Sequence, residues 1–129
     1  MATISTFEIA SSVKSYPAFS YAKMKDDILG KKYVLSLAFI GDTKARTLNK
    51  EHRKKDYVPN VLSFPLAKDQ GEVFIAPTVA KMEAKKFNMT VNGYIGFLYI
   101  HALLHLKGLD HGDTMEKAEQ KYCKKYNLQ

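Results

Sequence analysis

The chain has 129 residues, of which 46% are hydrophobic and 26% are charged. This length and apolar content predict one domain with a single core over residues 1–129, and they exclude extensive intrinsic disorder. Lysine and arginine number 20 against 13 acidic residues, giving a formal net charge of +7. This charge favours a polyanionic partner, such as nucleic acid or an anionic membrane surface.

Cysteine usage and the first residues both bear on the cellular compartment. Cys123 is the only cysteine, so we expect no internal disulfide, whereas small secreted domains usually carry several. Residues 1–15 lack the basic start, apolar run and small-residue cleavage site of a secretory signal. We therefore expect a cytoplasmic protein.

Element boundaries in the first half of the chain are predicted at glycine and proline. Clusters of β-forming residues indicate strands, and helical spacing of apolar residues indicates helices. The predicted elements, in order, are a helix over 18–29, a strand over 33–40, a helix over 44–55 and a short strand over 61–64 held between Pro59 and Pro65. The second helix carries a dense basic face, with Leu48 as its main apolar anchor.

The second half of the chain is predicted to be mostly helical. Pro77 suits the first turn of a helix, and Gly108 ends the longest helical segment. The predicted elements, in order, are a strand over 72–76, a helix over 77–87 with Val79, Ala80 and Met82 facing inward, a core helix over 90–107 and a charged terminal helix over 115–126. Helices outnumber strands without alternating with them, so the predicted fold class is α+β around a small mixed sheet.

Residues 87–106 contain no charged side chain and are long enough to cross a bilayer. Their polar content argues against a membrane span, because Asn92, His101 and His105 would be costly in hydrocarbon. We therefore predict a buried core helix here and no membrane partner.

Three of the four histidines lie between residues 101 and 111. His101 and His105 are four residues apart, so on a helix their imidazoles project from one face, one turn apart. Gly108 lets the chain leave the helix sharply and return His111 to the same point. The spacing therefore predicts a metal site with these three histidines as ligands. Three neutral nitrogens and one open position are typical of a catalytic zinc site.

The residue after His101 bears on the reaction. The spacing His-x-x-x-His-x-x-Gly-x-x-His also occurs in the metzincin peptidases, in which a glutamate after the first histidine acts as general base. Ala102 occupies that position, and its methyl group cannot accept a proton. A phosphodiester substrate fits better, because a metal ion can polarise a phosphoryl oxygen and a basic surface can hold a polyanion.

The histidine segment resembles the signature of the bacterial YbeY-type endoribonucleases. That signature reads His-Gly-x-Leu-His-Leu-x-Gly-Tyr-Asp-His, and the run from His101 to His111 departs from it at Ala102 and Leu109. The alanine raises helix propensity and needs room for one methyl group, whereas the leucine removes a hydroxyl group near the predicted metal.

A second block resembles the same family. Residues 48–65 are similar to Leu-Asn-x-x-Tyr-Arg-x-Lys-Asp-x-Pro-Thr-Asp/Asn-Val-Leu-Ser-Phe-Pro, with His52 in place of the tyrosine and Val58-Pro59 in place of Pro-Thr. Residues 71–75 lie between the two blocks, where the family has a Gly-Asp-Ile-x-Ile strand. Both blocks come in the family's order.

This resemblance implies a zinc-dependent, single-strand-specific endoribonuclease that acts in ribosomal RNA maturation, notably at the 3′ end of the small-subunit RNA, and in ribosome quality control. It implies helices on both faces of the sheet, with zinc ligands on the core helix and the turn after it. The implied partners are ribosomal RNA, the small ribosomal subunit and an Era-type assembly GTPase. Carried over by position, the zinc ligands would be His101, His105 and His111.

The resemblance also assigns Arg53 to the cleft as a catalytic candidate that holds the scissile phosphate, which suits its fork of donors and its charge. We expect Lys50, Lys54 and Lys55 to complete an RNA-binding basic face without making specific contacts. Asp110 would either orient a ligand imidazole or cap the following turn.

Two other functions stay open at this point. A ribosome-assembly factor would bind RNA through the basic face of residues 44–55 and use zinc only to hold its fold. A zinc peptidase would share the metal ligands, but it predicts a glutamate where Ala102 stands. For the nuclease itself, either water or the ribose 2′-hydroxyl could attack the phosphate.

Overall fold

A mixed four-stranded β-sheet organises the part of the chain that the computed structural model describes, residues 6–128. Its strands are β1 (Phe7–Ser11), β2 (Val34–Phe39), β3 (Val61–Ala67) and β4 (Gln70–Ile75). They lie in the order β1-β2-β4-β3. Strands β1 and β4 run parallel to β2, and β3 pairs with β4 as an antiparallel hairpin. The predicted fold class, α+β with a small mixed sheet, is confirmed.

Five α-helices accompany this sheet within residues 6–128. They are α1 (Tyr21–Leu29), α2 (Asp42–Arg53), α3 (Pro77–Ala84), α4 (Val91–Lys107) and α5 (Asp113–Lys125), and a 3-10 turn at Lys85–Phe87 follows α3. The order of helices predicted from the sequence is confirmed, with boundaries that differ by a few residues.

Helices lie on both faces of the sheet because successive residues of a strand point to opposite sides. One face presents fully buried side chains to α1 and α4, namely Leu35, Leu37, Phe39, Val73 and Ile75. The alternate residues Ala38 and Phe74 pack in a second cluster with Ala45 and Leu48 of α2. The expected role of Leu48 as an apolar contact of this helix is therefore confirmed.

Helix α4 is the central helix of the larger cluster. Ten of its 17 residues are buried, and Tyr99, Ile100 and Leu103 have no exposed surface. It contacts α1, α3, α5 and the β3–β4 hairpin. The predicted core helix is confirmed, and none of the helices within residues 6–128 is both long and apolar enough to cross a membrane.

Three features differ from the sequence-based expectations. Strand β1 was not predicted, because it is an exposed edge strand whose side chains show no buried alternation. Strand β3 continues through Pro65 instead of ending there, since an edge strand tolerates a residue without an N–H group. Met82 is 69% exposed rather than inward, because Ala80 and Ala84 form the buried face of α3.

Candidate metal centre

His101 and His105 lie on the last two turns of α4 and project from one face. The helix begins after Thr90, whose side-chain oxygen accepts a hydrogen bond from the Gly93 N–H at 3.0 Å. The three residues between the histidines are at most 1% exposed, whereas both histidines are half-buried. Packing of the helix against the core therefore fixes where the two imidazoles point.

Gly108 ends α4 and turns the chain back toward the two histidines. Its φ of 108° lies in the left-handed region that residues with side chains rarely adopt. Beyond this turn, the ring centroid of His111 lies 5.3 Å from that of His101 and 5.0 Å from that of His105. The structure thus brings together all three histidines that the sequence singled out.

The three imidazoles converge on one point. The Nε2 atoms of His101 and His105 are 3.1 Å apart, and one ligand nitrogen from each of the three rings lies within 4.8 Å of the others. Nitrogens bound tetrahedrally at about 2.0–2.1 Å from an ion would be separated by roughly 3.4 Å. Small side-chain rotations are therefore enough for the cluster to hold one metal ion.

Hydrogen-bond partners behind two of the rings decide which nitrogen faces the centre. The Nδ1 atom of His101 lies 2.6 Å from Oε2 of Glu119, and that of His105 lies 3.1 Å from the Leu109 carbonyl oxygen. A carboxylate and a carbonyl oxygen only accept hydrogen bonds, so both Nδ1 atoms carry the proton. The two Nε2 lone pairs then face each other, and they repel unless positive charge lies between them. This donor set fits a metal ion.

The protonation of His105 also suits metal binding. Burial, followed by the neighbouring imidazoles of His101 and His111, lowers the pKa of His105 below its usual value, and the Leu109 carbonyl and Asp110 oppose this effect. A lowered pKa keeps the ring neutral near pH 7. The neutral imidazole is the form that binds metals.

Glu119 is a residue of the site that sequence reasoning missed. It lies on α5, is 9% exposed and follows the buried Met115 by one helical turn. That spacing was the only signal in the sequence, and an acidic residue on a charged helix ordinarily faces solvent. Asp110, the residue considered for this orienting role, is exposed, and the carbonyl of Leu109 makes the bond to His105 instead.

A cleft of about 700 Å³ opens beside the histidine cluster. Its lining includes two groups of residues: His101, His105 and His111, here the α4 wall, and Arg53 with residues 60–63 of the β3 segment, here the Arg53 wall. The three ligand candidates and the predicted arginine therefore line one cavity.

The side chain of Arg53 is held by neighbours on its own wall. Its Nη1 donates to Oδ1 of Asn49 at 3.2 Å and to the Tyr57 hydroxyl at 3.5 Å. Asn49 is fully buried, and its Nδ2 donates to the Tyr57 carbonyl at 3.0 Å. Asn49 thus ties the end of α2 to the following loop and supports an otherwise exposed guanidinium group.

A family model described as Endoribonuclease YbeY matches residues 3–127 of this sequence. The chain belongs to the YbeY family. Both segments that resembled this family in the sequence, residues 48–65 and 101–111, contribute to the cleft.

Curated relatives named Endoribonuclease YbeY align with most of this chain. The protein from Mycoplasma mycoides is 33% identical over 111 residues, which are 78% of this chain and 65% of that protein. The protein from Mycoplasma capricolum is 34% identical over 73% of this chain and 61% of its own length. The protein from Finegoldia magna is 33% identical over 85% of this chain and 74% of its own length. The chain thus spans less than two thirds of the first two relatives.

A solved structure has the same fold. The solution structure of TM1509 from Thermotoga maritima superposes with a TM-score of 0.66 and 24% identity, covering 93% of this chain and 88% of that one. At this identity, the similarity supports the arrangement of helices and strands.

The basic residues of the YbeY-like segment occupy different positions relative to the cleft. Arg53 lines it, whereas Lys50, Lys54 and Lys55 are exposed and are not part of its lining. Lys54 follows the last turn of α2 with a φ of 55°, which directs the chain away from the helix axis. The three lysines therefore form a basic surface near the cleft rather than a second set of groups within it.

Proposed function

We propose that this chain is a zinc-dependent endoribonuclease that cleaves single-stranded RNA during ribosomal RNA processing, including 3′-end maturation of the small-subunit RNA and ribosome quality control. The observation that carries the proposal is the shared cleft, which three converging imidazoles and one arginine line in a chain of the YbeY family. The net charge of +7 suits a polyanionic substrate.

His101, His105 and His111 would hold the metal ion and leave a fourth position open, as catalytic zinc sites do. A zinc ion there would polarise a phosphoryl oxygen and lower the pKa of a bound water molecule. The carboxylate of Glu119 holds the His101 ring in the tautomer that presents Nε2 to the ion. Binding of the phosphate and of the RNA chain depends on the basic residues.

Arg53, which lines the same cleft, would bind the scissile phosphate. Its guanidinium group can donate to two phosphate oxygens and offset the negative charge that develops in the transition state. Lys50, Lys54 and Lys55 would attract RNA through their charge, without contacting the reacting atoms.

The nucleophile can be identified from the ends of the products. Neither of two nearby positions supplies an evident general base. Ala102, where a peptidase has its glutamate, is apolar and 1% exposed, and the Glu119 carboxylate is hydrogen-bonded to His101. Attack by the ribose 2′-hydroxyl would break the bond from phosphorus to the 5′-oxygen and leave a 2′,3′-cyclic phosphate. Attack by water would leave no cyclic product.

The proposed function also implies a cellular location and protein partners. Its substrate would bring it to the small ribosomal subunit in the cytoplasm, and an Era-type assembly GTPase is the protein partner that the family suggests. An assembly factor with a purely structural zinc ion is the alternative function, and it would bind the same RNA without cutting it.

The deciding experiment compares cleavage of single-stranded and duplex RNA by tag-free protein, because a polyhistidine tag would itself bind zinc. Chelator is added and zinc is then restored, with His111→Ala as the control for contaminating nuclease. We expect cutting of single strands that stops with chelator, returns with zinc and is absent in the variant. Binding without cutting would overturn the nuclease proposal in favour of the assembly factor, and chelator-sensitive cleavage of unstructured protein would favour a peptidase.

A further inference from the structure

A row of aromatic rings runs along the α4 wall and ends at the metal centre. The ring centroids of Phe87 and Tyr94 are 5.4 Å apart, and those of Tyr94 and Phe97 are 6.0 Å apart, with interplanar angles of 13° and 19°. The next step, from Phe97 to His101, is 6.2 Å at 31°. All four residues line the cleft, so the row leads from its outer end to the proposed ligands.

The helix geometry of α4 produces this alignment. Tyr94, Phe97 and His101 are spaced by three and four residues, which places their side chains on one face of a helix. The hydroxyl of Tyr94 donates to Oε1 of Glu83 at 3.0 Å, and Nδ2 of Asn60 donates to the same oxygen at 2.9 Å. The central ring is therefore fixed by a hydrogen-bond network.

The accessible part of the row lies at its ends. Tyr94 is only 4% exposed, Phe97 is half-buried and Phe87 is 60% exposed. Phe87 therefore presents an accessible aromatic ring at the end of the row, where burial against the apolar face of a ligand would be favourable.

The charges around Phe87 narrow the chemistry of that ligand. Lys85 and Lys86 precede it and are exposed, and Arg53 lines the same cleft. Aromatic rings combined with cationic side chains are how proteins bind single-stranded nucleic acid, since bases stack on the rings and phosphates pair with the cations. A duplex would not bind in this way, because its bases are already stacked on each other.

We propose that Phe87, Tyr94 and Phe97 form a base-stacking subsite for unpaired nucleotides that adjoin the scissile phosphate. The subsite rests on the proposed function, because it takes RNA to be the ligand of the cleft. It provides a physical source for a preference for single strands. Phe87 and Phe97 contact the bases, and Tyr94 supports both rings from behind.

The first test uses the absence of tryptophan from this sequence. In the variant Phe87→Trp, the single indole reports stacking directly, and Tyr16→Trp places the same probe outside the cleft lining as a matched control. Zinc-loaded protein is mixed with single-stranded or duplex RNA, and the fluorescence is read before product forms. We expect quenching of Phe87→Trp by single strands only, with little change for Tyr16→Trp. Equal quenching by duplex, or no quenching of Phe87→Trp by strands that bind, would overturn the subsite.

A second test measures affinity in variants that either remove or keep the ring. We expect Phe87→Leu to weaken binding of single-stranded RNA roughly tenfold, because one base loses its stacking partner, and Phe87→Tyr to restore affinity to within about twofold of the wild type. If wild type and Phe87→Leu bind and cut single strands equally well, the subsite is overturned and the nuclease function stands. If the wild-type protein neither binds nor cuts RNA, both proposals fail together.

Discussion

The two walls of the cleft differ in how their functional side chains are held in place. On the α4 wall, His101 and His105 project from a helix that is buried on its other sides, and hydrogen bonds from Nδ1 set their tautomers. On the Arg53 wall, the guanidinium group is exposed and donates one hydrogen bond to Asn49 at 3.2 Å and a longer one to the Tyr57 hydroxyl at 3.5 Å. Packing of α4 against the core therefore fixes the metal ligands, whereas hydrogen bonds to neighbouring side chains position Arg53.

Removal of a ligand from the α4 wall should have the largest effect. We expect His111→Ala to lower the rate of RNA cleavage on the order of 10³-fold, because the charge stabilisation that the ion supplies would be lost. The melting temperature of the metal-free variant should differ little from that of the metal-free wild type, since His111 is exposed and lies outside the core. Cleavage rate, zinc content and thermal unfolding together check this prediction. Unfolding of the variant would indicate a structural ion instead.

Removal of the Arg53 side chain should lower the cleavage rate less than loss of a metal ligand does, and it should leave metal binding intact. We expect Arg53→Ala to lower kcat about 10²-fold, by analogy with the loss of one preorganised donor to a transition state. Lys50→Ala removes the same charge from the same helix outside the cleft lining and is the matched control. Single-turnover cleavage with bound zinc measured in each variant checks the prediction. Equal losses in both variants would mean that Arg53 contributes only general charge.

Loss of the carboxylate behind the α4 wall should weaken metal binding without abolishing it. Glu119→Gln keeps the shape of the side chain but removes the charge that holds His101 Nδ1–H, and such changes typically cost about 10- to 100-fold in metal affinity. Competition with a chromophoric chelator measures this affinity independently of any RNA. Glu116→Gln, an exposed change on the same helix, should leave it unaltered. The prediction fails if the two variants bind zinc equally.

The difference between the walls also explains what could be predicted from the sequence. The spacing of His101, His105 and Gly108 maps directly onto helix geometry, so local pattern alone predicted where the ligands meet. Glu119 reaches the site only through the packing of α5 on α4, which has no local signature. The aromatic row was missed for a related reason, because Phe87 joins it from a separate 3-10 turn.

Away from the cleft, too, contacts that depend on packing could not be predicted from local sequence pattern. The helices could be predicted from the local spacing of apolar residues, but this spacing does not report that Lys25 of α1 is fully buried. Its Nζ donates to the Tyr33 carbonyl at 2.8 Å and lies 2.7 Å from a carboxylate oxygen of Asp26. Backbone carbonyls from a following loop stabilise that position, and a pattern of residue types does not report them.

The smallest expected effect is a pH-dependent change in stability from contacts at the C-terminal end of α5, the helix that carries Glu119. Asp27 on α1 accepts hydrogen bonds from the Tyr126 hydroxyl, from Lys23 and from Lys125, and these hold the pKa of its carboxyl well below the usual range. A carboxyl with a depressed pKa stabilises the fold above its unfolded-state pKa of about 3.9, and this stability is lost as the pH falls toward the folded-state pKa.

This linkage predicts a pH-dependent difference between the wild type and Asp27→Asn. Their melting temperatures should differ most near pH 6, where the wild-type carboxylate is charged, and should converge as the pH falls below about 4. Glu51→Gln, at an exposed carboxyl of α2, is the control for the same change from carboxyl to amide elsewhere on the surface. Metal affinity at pH 7 should fall in Asp27→Asn by less than in Glu119→Gln, because Asp27 fastens the end of α5 while Glu119 contacts His101 itself. An equal fall would mean that the α4 wall depends on the docking of α5 as a whole, and not on one hydrogen bond.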